Sequence, residues 1–390
     1  MSDTTKRVVR RRESEEMKAL ISRIQKRAGD TSITKANTLP SCNHISTGAF
    51  MLDLALMGGW PEGFVSTAVG LESSGKTTIW KKAVAEYQRK HPNKFPLWID
   101  SESLFDEKYA AKLGVDLDRL YVAKPTSAEE TVDIIDDALK TPDVGVVILD
   151  SIPGMVPMKV EEKSAEDDTV AMLARVCAKL CSKVLVAMNK SKREGHRPCL
   201  WLVNQFRIKI GAMHMTYTMP GGRQINHLPS TILELRNKEV VGKGDASGQV
   251  VESDIAFKLR KAKHGCAFRE GALTLVSSPH HESGLTLGAS DHHKALVAYA
   301  KKQGIVFGGG SSWKTPFTDP DPFPKLDAII QAARENKTFE TQLAQSVIML
   351  HRMEHGLDMV PPDNHLFGAD VSKTVKDVVT ALRDSANEDA

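Results

Sequence analysis

Gly70-Leu71-Glu72-Ser73-Ser74-Gly75-Lys76-Thr77 has the spacing GxxxxGK[ST]. Residues of this kind hold phosphate. The glycines let backbone N–H groups curl around oxygens, and the helix that follows adds its partial positive charge. Lys76 is placed for the β and γ phosphates, and the Thr77 hydroxyl for Mg²⁺. Gly70, Glu72, Ser73, Ser74, Gly75, Lys76, Thr77 and Thr78 are therefore the candidate nucleotide contacts, and ATP with Mg²⁺ the implied cofactors. A second metal partner should end another strand. The run Val144 to Leu149 delivers Asp150 in that way. A third run, Phe95 to Ile99, leads to Asp100-Ser101-Glu102. Glu102 is the candidate general base that polarises water, with Asp100 next in line; the bland alternative is a surface carboxylate at a strand end.

These residues need a sheet to carry them. Val65 to Val69, Phe95 to Ile99, Val144 to Leu149 and Leu200 to Val203 are apolar runs unbroken by charge. They predict buried parallel strands covered by helices on both faces. Thr231 to Leu235, Ile255 to Leu259 and Leu273 to Val276 predict three more. A helix is expected from Thr78 to Lys90. Leu173, Val176, Cys177, Leu180, Val184 and Met188 repeat at helical spacing, which turns Cys177 and Cys181 inward as packing residues. Upstream, Met17, Leu20, Ile21 and Ile24 mark a short helix between a basic tail (Lys6, Arg7, Arg10, Arg11, Arg12) and a polar connector from Asp30 to Asn43. The tail reads equally as a solvated segment or as a nucleic-acid or partner contact. After Glu282 the composition changes: a helix is expected from Leu296 to Lys302, then Gly308-Gly309-Gly310 and four prolines break the chain. Helices resume at Leu326 and near Val371. His280-His281 and His292-His293 read as solvated turn residues rather than a metal site.

The chain has 390 residues, 41% hydrophobic and 26% charged, with a net charge of +3. This excludes a disordered or collagen-like chain and leaves any nucleic-acid surface to be local. No apolar run approaches the roughly 20 residues of a membrane helix, and the N-terminus lacks a signal core. Five scattered cysteines with no CxxC pair fit reduced thiols. A cytoplasmic protein, with no membrane partner, is expected.

The run Ile45-Ser46-Thr47-Gly48, Leu52-Asp53 and Gly58-Gly59-Trp60-Pro61-Glu62-Gly63, leading into the phosphate loop, resembles the bacterial RecA family of homologous recombinases. So do Tyr109-Ala110, Lys112 to Asp116, Asp150-Ser151, Val203-Asn204-Gln205-Phe206-Arg207-Ile208-Lys209-Ile210-Gly211 and Gly221-Gly222. The resemblance covers about Ile45 to Leu275 and fades on either side.

It implies an α/β fold: a RecA-type P-loop ATPase core at 45–282 with a mostly parallel central sheet flanked by helices. An N-terminal helical arm and linker at 1–44 would serve self-assembly, and a small mixed C-terminal domain would occupy 283–390. It further implies that Glu102 activates water, that Asp106 and Tyr109 contact adenine, and that Gln205 senses the γ phosphate. Lys261 and Lys263 would reach the γ phosphate of a neighbouring subunit; read alone, they and Lys258 and Arg260 form a solvated basic strand edge. The loop from Phe206 to Gly222 has no acidic residue, so Arg207, Lys209 and Arg223 suit DNA phosphates. Gly221 and Gly222 would offer amides, and Ile210 a wedge between bases. The 159–169 loop is acidic, which moves that contact to Arg175 on the next helix; a second helix position holds Ser182, beside Lys183. The implied activity is DNA-dependent ATP hydrolysis by filaments on single-stranded DNA, with double-stranded DNA as second substrate in pairing and strand exchange. The rivals are a hexameric helicase, a small-molecule kinase and an ATP-sensing scaffold.

Overall fold

The computed structural model describes residues 14–29, 32–36, 42–158, 166–208, 217–238, 252–266, 269–276, 288–317 and 322–354. Lys209, Ile210, the 159–165 stretch, His280-His281 and the helix expected near Val371 lie outside them.

Eight strands form the central sheet: β1 (Val65–Gly70), β2 (Phe95–Asp100), β3 (Tyr121–Ala123), β4 (Val144–Asp150), β5 (Cys199–Gln205), β6 (Thr231–Lys238), β7 (Glu252–Ala262) and β8 (Glu270–Val276). Their order is β8-β7-β6-β1-β5-β4-β2-β3. The six strands from β6 to β3 are parallel, and β7 and β8 continue the sheet antiparallel. Each of the seven apolar runs lies within a strand. The central strands read clearly because both faces are covered. Ala68, Val69, Val146 to Leu149 and Leu200 to Leu202 are fully buried.

The helices are α1 (Glu15–Ala28), α2 (Phe50–Ala55), α3 (Lys76–Lys90), α4 (Glu107–Lys112), α5 (Ala128–Lys140), α6 (Glu166–Arg193), α7 (Gly222–His227), α8 (His292–Lys302), α9 (Leu326–Glu335) and α10 (Lys337–Glu354). One face of the sheet packs on α3 through Ile79, Trp80, Ala83 and Val84. Trp80 stacks on Trp201 at 5.1 Å, donates its indole N–H to the Leu202 carbonyl and meets Trp60 at 4.5 Å. The other face packs on α5 and α6, where Cys177, Leu180, Cys181, Val184 and Met188 are buried. Both cysteines are packing residues, and burial raises their thiol pKa values to about 12 and about 11.

A short antiparallel pairing, His44–Ile45 with Trp60–Pro61, lies beyond the carboxyl end of α3. There Glu62 meets Lys90 at 3.1 Å and His91 at 3.0 Å. A third apolar cluster joins α8, α9 and α10 to Phe50 and Leu54 of α2. Helix α8 begins at His292, earlier than the apolar pattern suggests, because Asp291 caps it by accepting the Lys294 amide at 3.0 Å. The triglycine run lies in a small hairpin, Phe307–Gly309 with Ser312–Lys314, where Gly308 and Gly309 end the first strand and Gly310 opens the turn. His292 and His293 are not solvated turn residues. Both face the buried Glu340, at 3.6 and 3.4 Å, and burial lowers His292 to about 4. Among the described residues no helix is long and apolar enough to cross a membrane.

Candidate active site at the carboxyl edge of the sheet

Parallel strands bring all their carboxyl ends to one edge, and β1, β2, β4 and β5 there end in Gly70, Asp100, Asp150 and Gln205. From Gly70 the chain turns through the phosphate loop into α3. Gly75 caps α3 with φ of 89°, and a Cβ there would come within 2.6 Å of Ile255. Glycine is therefore required by both backbone and space. Lys76 is buried and donates to the Leu71 carbonyl at 2.6 Å, closing the loop on itself. Burial pulls its ammonium below the ordinary lysine value, while Asp150, Glu102 and Glu72 oppose that shift.

The Thr77 hydroxyl donates to Asp150 Oδ2 at 2.9 Å, so the two expected metal partners are in contact. Burial raises Asp150 to about 6, and the charges of Glu102 and Asp100 add to the shift. A cation between Thr77, Asp150 and phosphate oxygens would relieve that cost. Among the described residues no three His, Cys, Asp or Glu side chains cluster for a metal. Mg²⁺ suits the sparser pair, since it keeps waters and phosphate oxygens as its other ligands.

The two carboxylates at the end of β2 have different surroundings. Asp100 is buried, and its oxygens accept the amides of Leu104 at 3.1 Å and Phe105 at 2.9 Å. It builds the turn and is spent there, which corrects its place as the alternative base. Glu102 is exposed and accepts a hydrogen bond from the Ser151 hydroxyl. Ser151 in turn donates its amide to Ser101 Oγ at 2.8 Å. The Asp150–Ser151 peptide is cis. Gly154 leaves room for this pair, because a Cβ there would lie 2.6 Å from Ser101 Oγ and 2.7 Å from Glu102 Cγ. Ser151 enters the sequence reading only within the Asp150-Ser151 pair, without a role, and Gly154 does not enter it.

Asp106 caps α4 by accepting the Tyr109 amide at 2.9 Å. The Tyr109 hydroxyl lies 3.0 Å from Thr78 Oγ1, beside the loop. Lys81 supports this corner, with its ammonium 4.7 Å from the Phe105 ring and 5.2 Å from the Tyr109 ring.

At the end of β5, Asn204 Oδ1 accepts the Gln205 amide at 2.9 Å, and Asn204 Nδ2 donates to the Pro220 carbonyl at 3.1 Å. The Phe206 amide donates to the Gly70 carbonyl at 3.2 Å. The basic loop therefore leaves from the strand beside the phosphate loop. Its two ends pair as Arg207 with Thr218 and Ile208 with Tyr217. Gly221 and Gly222 pack on α6: a Cβ on the first would meet Cys177 Sγ at 3.0 Å, and on the second Ala174 at 3.1 Å. Their small size serves packing in this chain. Arg175, Arg207 and Arg223 are exposed. Lys183 is bound to Asp133 and Asp136 of α5 at 2.7 and 3.2 Å, which removes it as a substitute beside Ser182.

Lys261 and Lys263 lie at the other edge. Lys261 pairs with Ile232, and Ile232 with Thr67, three strand positions or roughly 10 Å short of Gly70. The Lys261 ammonium donates to the His227 carbonyl at 2.8 Å, and the Lys263 amide to the Ser230 carbonyl. Neither shares an edge with Lys76.

A strand, a phosphate loop and a helix at the carboxyl edge of a mostly parallel sheet define a phosphate-loop nucleotide-binding protein. Residues 15–280 match the family model for the RecA N-terminal domain, a match that reaches back through α1. Protein RecA of Mesomycoplasma hyopneumoniae (strain 7448) is 31% identical over 264 residues, covering 67% of this chain and 75% of that protein. Protein RecA of Bacteroides thetaiotaomicron is 31% identical over 271 residues, 66% of this chain and 80% of its own length. Protein RecA of Halalkalibacterium halodurans is 34% identical over 261 residues, 64% and 73% of the two chains. The chain belongs to the RecA family, whose proteins bind ATP and DNA and act in recombination and repair.

Proposed function

We propose that this chain is a DNA-dependent ATPase that forms filaments on single-stranded DNA and promotes homologous pairing and strand exchange. The observation that carries the reading is the bond between the Phe206 amide and the Gly70 carbonyl. It ties the start of the basic loop to the strand that feeds the phosphate loop, so a change at one is felt at the other.

In this reading Lys76 and the loop amides bind the phosphates, while Thr77 and Asp150 hold Mg²⁺. Glu102, oriented by Ser151, accepts a proton from the attacking water. Asp106 and Tyr109 frame the base, and Gln205 registers the γ phosphate. Lys261 and Lys263 neutralise developing charge at the site of the next subunit, the job of an arginine finger. Their position at the amino edge supports action across a junction. DNA phosphates are met by Arg175, Arg207, Lys209 and Arg223, with Ile210 between bases and the Gly221-Gly222 amides close by. Double-stranded DNA is the second substrate. The exposed Met17 and Leu20 of α1 and the exposed edge strand β3 support self-assembly.

ATP hydrolysis measured with and without single-stranded DNA tests the reading. Stimulation by DNA is expected; turnover indifferent to DNA would favour a small-molecule kinase. Closed rings in electron micrographs, in place of open filaments, would favour a helicase.

A further inference from the structure

Arg260 sits where the β6–β7 ladder is irregular. Ile232 pairs with Lys261 and Leu233 with Leu259, so Arg260 is the extra residue of a β-bulge. A bulge re-aims a side chain, and here the result is specific. The guanidinium bonds to Glu234 and lies with its carbon 5.0 Å from the centre of the Phe206 ring. Glu234 is almost completely buried and also accepts from Arg236 at 2.6 Å. Across the β6–β1 ladder Glu234 pairs with Val69, one residue before Gly70. The ring of Phe206 meets that of Tyr217 at 5.5 Å. These two aromatic residues stand at the two ends of the basic loop.

We propose that Arg260, anchored by Glu234, is a positioning residue that clamps Phe206 against Tyr217 and so transmits nucleotide state from the phosphate loop to the DNA loop. The planar guanidinium suits both tasks at once: its edge bonds the carboxylate and its face covers a ring. Phe206 follows the residue assigned to sense the γ phosphate, and its own amide is held by Gly70. A shift of Gln205 therefore moves the ring, and the ring moves Tyr217. The inference rests on the reading of the 206–222 loop as the DNA site.

The test is the affinity for a labelled oligodeoxythymidylate, measured with a non-hydrolysable ATP analogue and with ADP. The parent should bind more tightly with the analogue. Arg260→Ala should reduce that ratio by about tenfold, in the range of ordinary coupling between sites, and leave DNA-free ATP turnover unchanged. Phe206→Leu, which keeps an apolar side chain without a ring face, should reduce the ratio similarly. The double variant should be no worse than either single one, since both break one contact. Arg260→Lys should restore only part of the ratio, because an ammonium has no planar face.

Several outcomes would overturn the relay. A Phe206→Leu protein with the parent ratio would do so, whether or not Arg260→Ala folds. Additive losses in the double variant would do so too. Equal weakening in both nucleotide states, with the slope of log affinity against log salt reduced by about one, would make Arg260 a direct phosphate contact. A parent that binds DNA equally in both states would remove the DNA-loop reading as well, whereas the other outcomes leave it standing.

Discussion

Lys76 bonds a carbonyl of its own loop and makes few packing contacts, so its loss should remove a phosphate ligand and little packing. Lys76→Ala should abolish ATP hydrolysis while lowering stability by about 1 kcal/mol or less, the net worth of a typical hydrogen bond. Turnover by the folded variant would remove the phosphate-loop assignment. The neighbouring carboxylates should separate cleanly. Glu102→Gln should keep ATP and DNA binding but slow hydrolysis by about 10² or more. Asp100→Ala should instead cost about 1–3 kcal/mol, because it strips the acceptors from two backbone amides. Thermal melts and turnover on the same samples would show whether the first change is catalytic and the second structural. Spacing alone could not assign these roles. Asp100 and Glu102 are two residues apart at one strand end, and only the amides of Leu104 and Phe105 tell them apart.

At the scale of elements, legibility followed burial. Strands β1, β2, β4 and β5 are sealed on both faces, so their sequences are continuous apolar runs. Strand β3 has three residues at the sheet edge, two of them exposed, and gave no comparable signal. The hairpin near residue 310 was hidden by glycines that read equally as a break. The bulge at Arg260 was invisible because nothing local announces a skipped ladder position. The clip at the end of α3 makes a testable case. Burial would raise Glu62, but bonds and charge from His91 and Lys90 outweigh it and hold the carboxylate at about 2. A depressed carboxylate contributes its stability above its unfolded value of about 4.3 and loses it as pH falls toward 2. Glu62→Gln should therefore cost roughly 2 kcal/mol at pH 7. The gap to the parent should stay flat down to about pH 5 and close below it. Denaturant unfolding across pH 2–7 measures this, and a gap that widens in acid would refute it.

In the whole molecule, the nucleotide groups and the lysine pair occupy opposite edges of one sheet. A Lys261→Ala, Lys263→Ala variant should still bind ATP as a free subunit and lose most DNA-stimulated turnover. Mixed with Lys76→Ala, it should regain activity at junctions that join an intact loop to intact lysines. A co-assembled mixture that stays inactive would return the lysines to the role of a basic strand edge. The C-terminal helices α8 and α9 were legible as helices, but what they pack against was not. Their apolar cluster is shared with α2, so no compositional change alone reveals that Phe50 and Leu54 belong to it.

The two-edge arrangement has a consequence for counting. If each complete site takes its phosphate loop from one subunit and its lysines from the next, a run of n subunits contains n − 1 working sites, and one terminal subunit is always idle. A pair would work at half its nominal capacity, and long runs would approach the full value. Specific activity should then rise with the length of the DNA offered and level off as chain ends become rare. An oligonucleotide too short for two subunits should bind protein without speeding turnover.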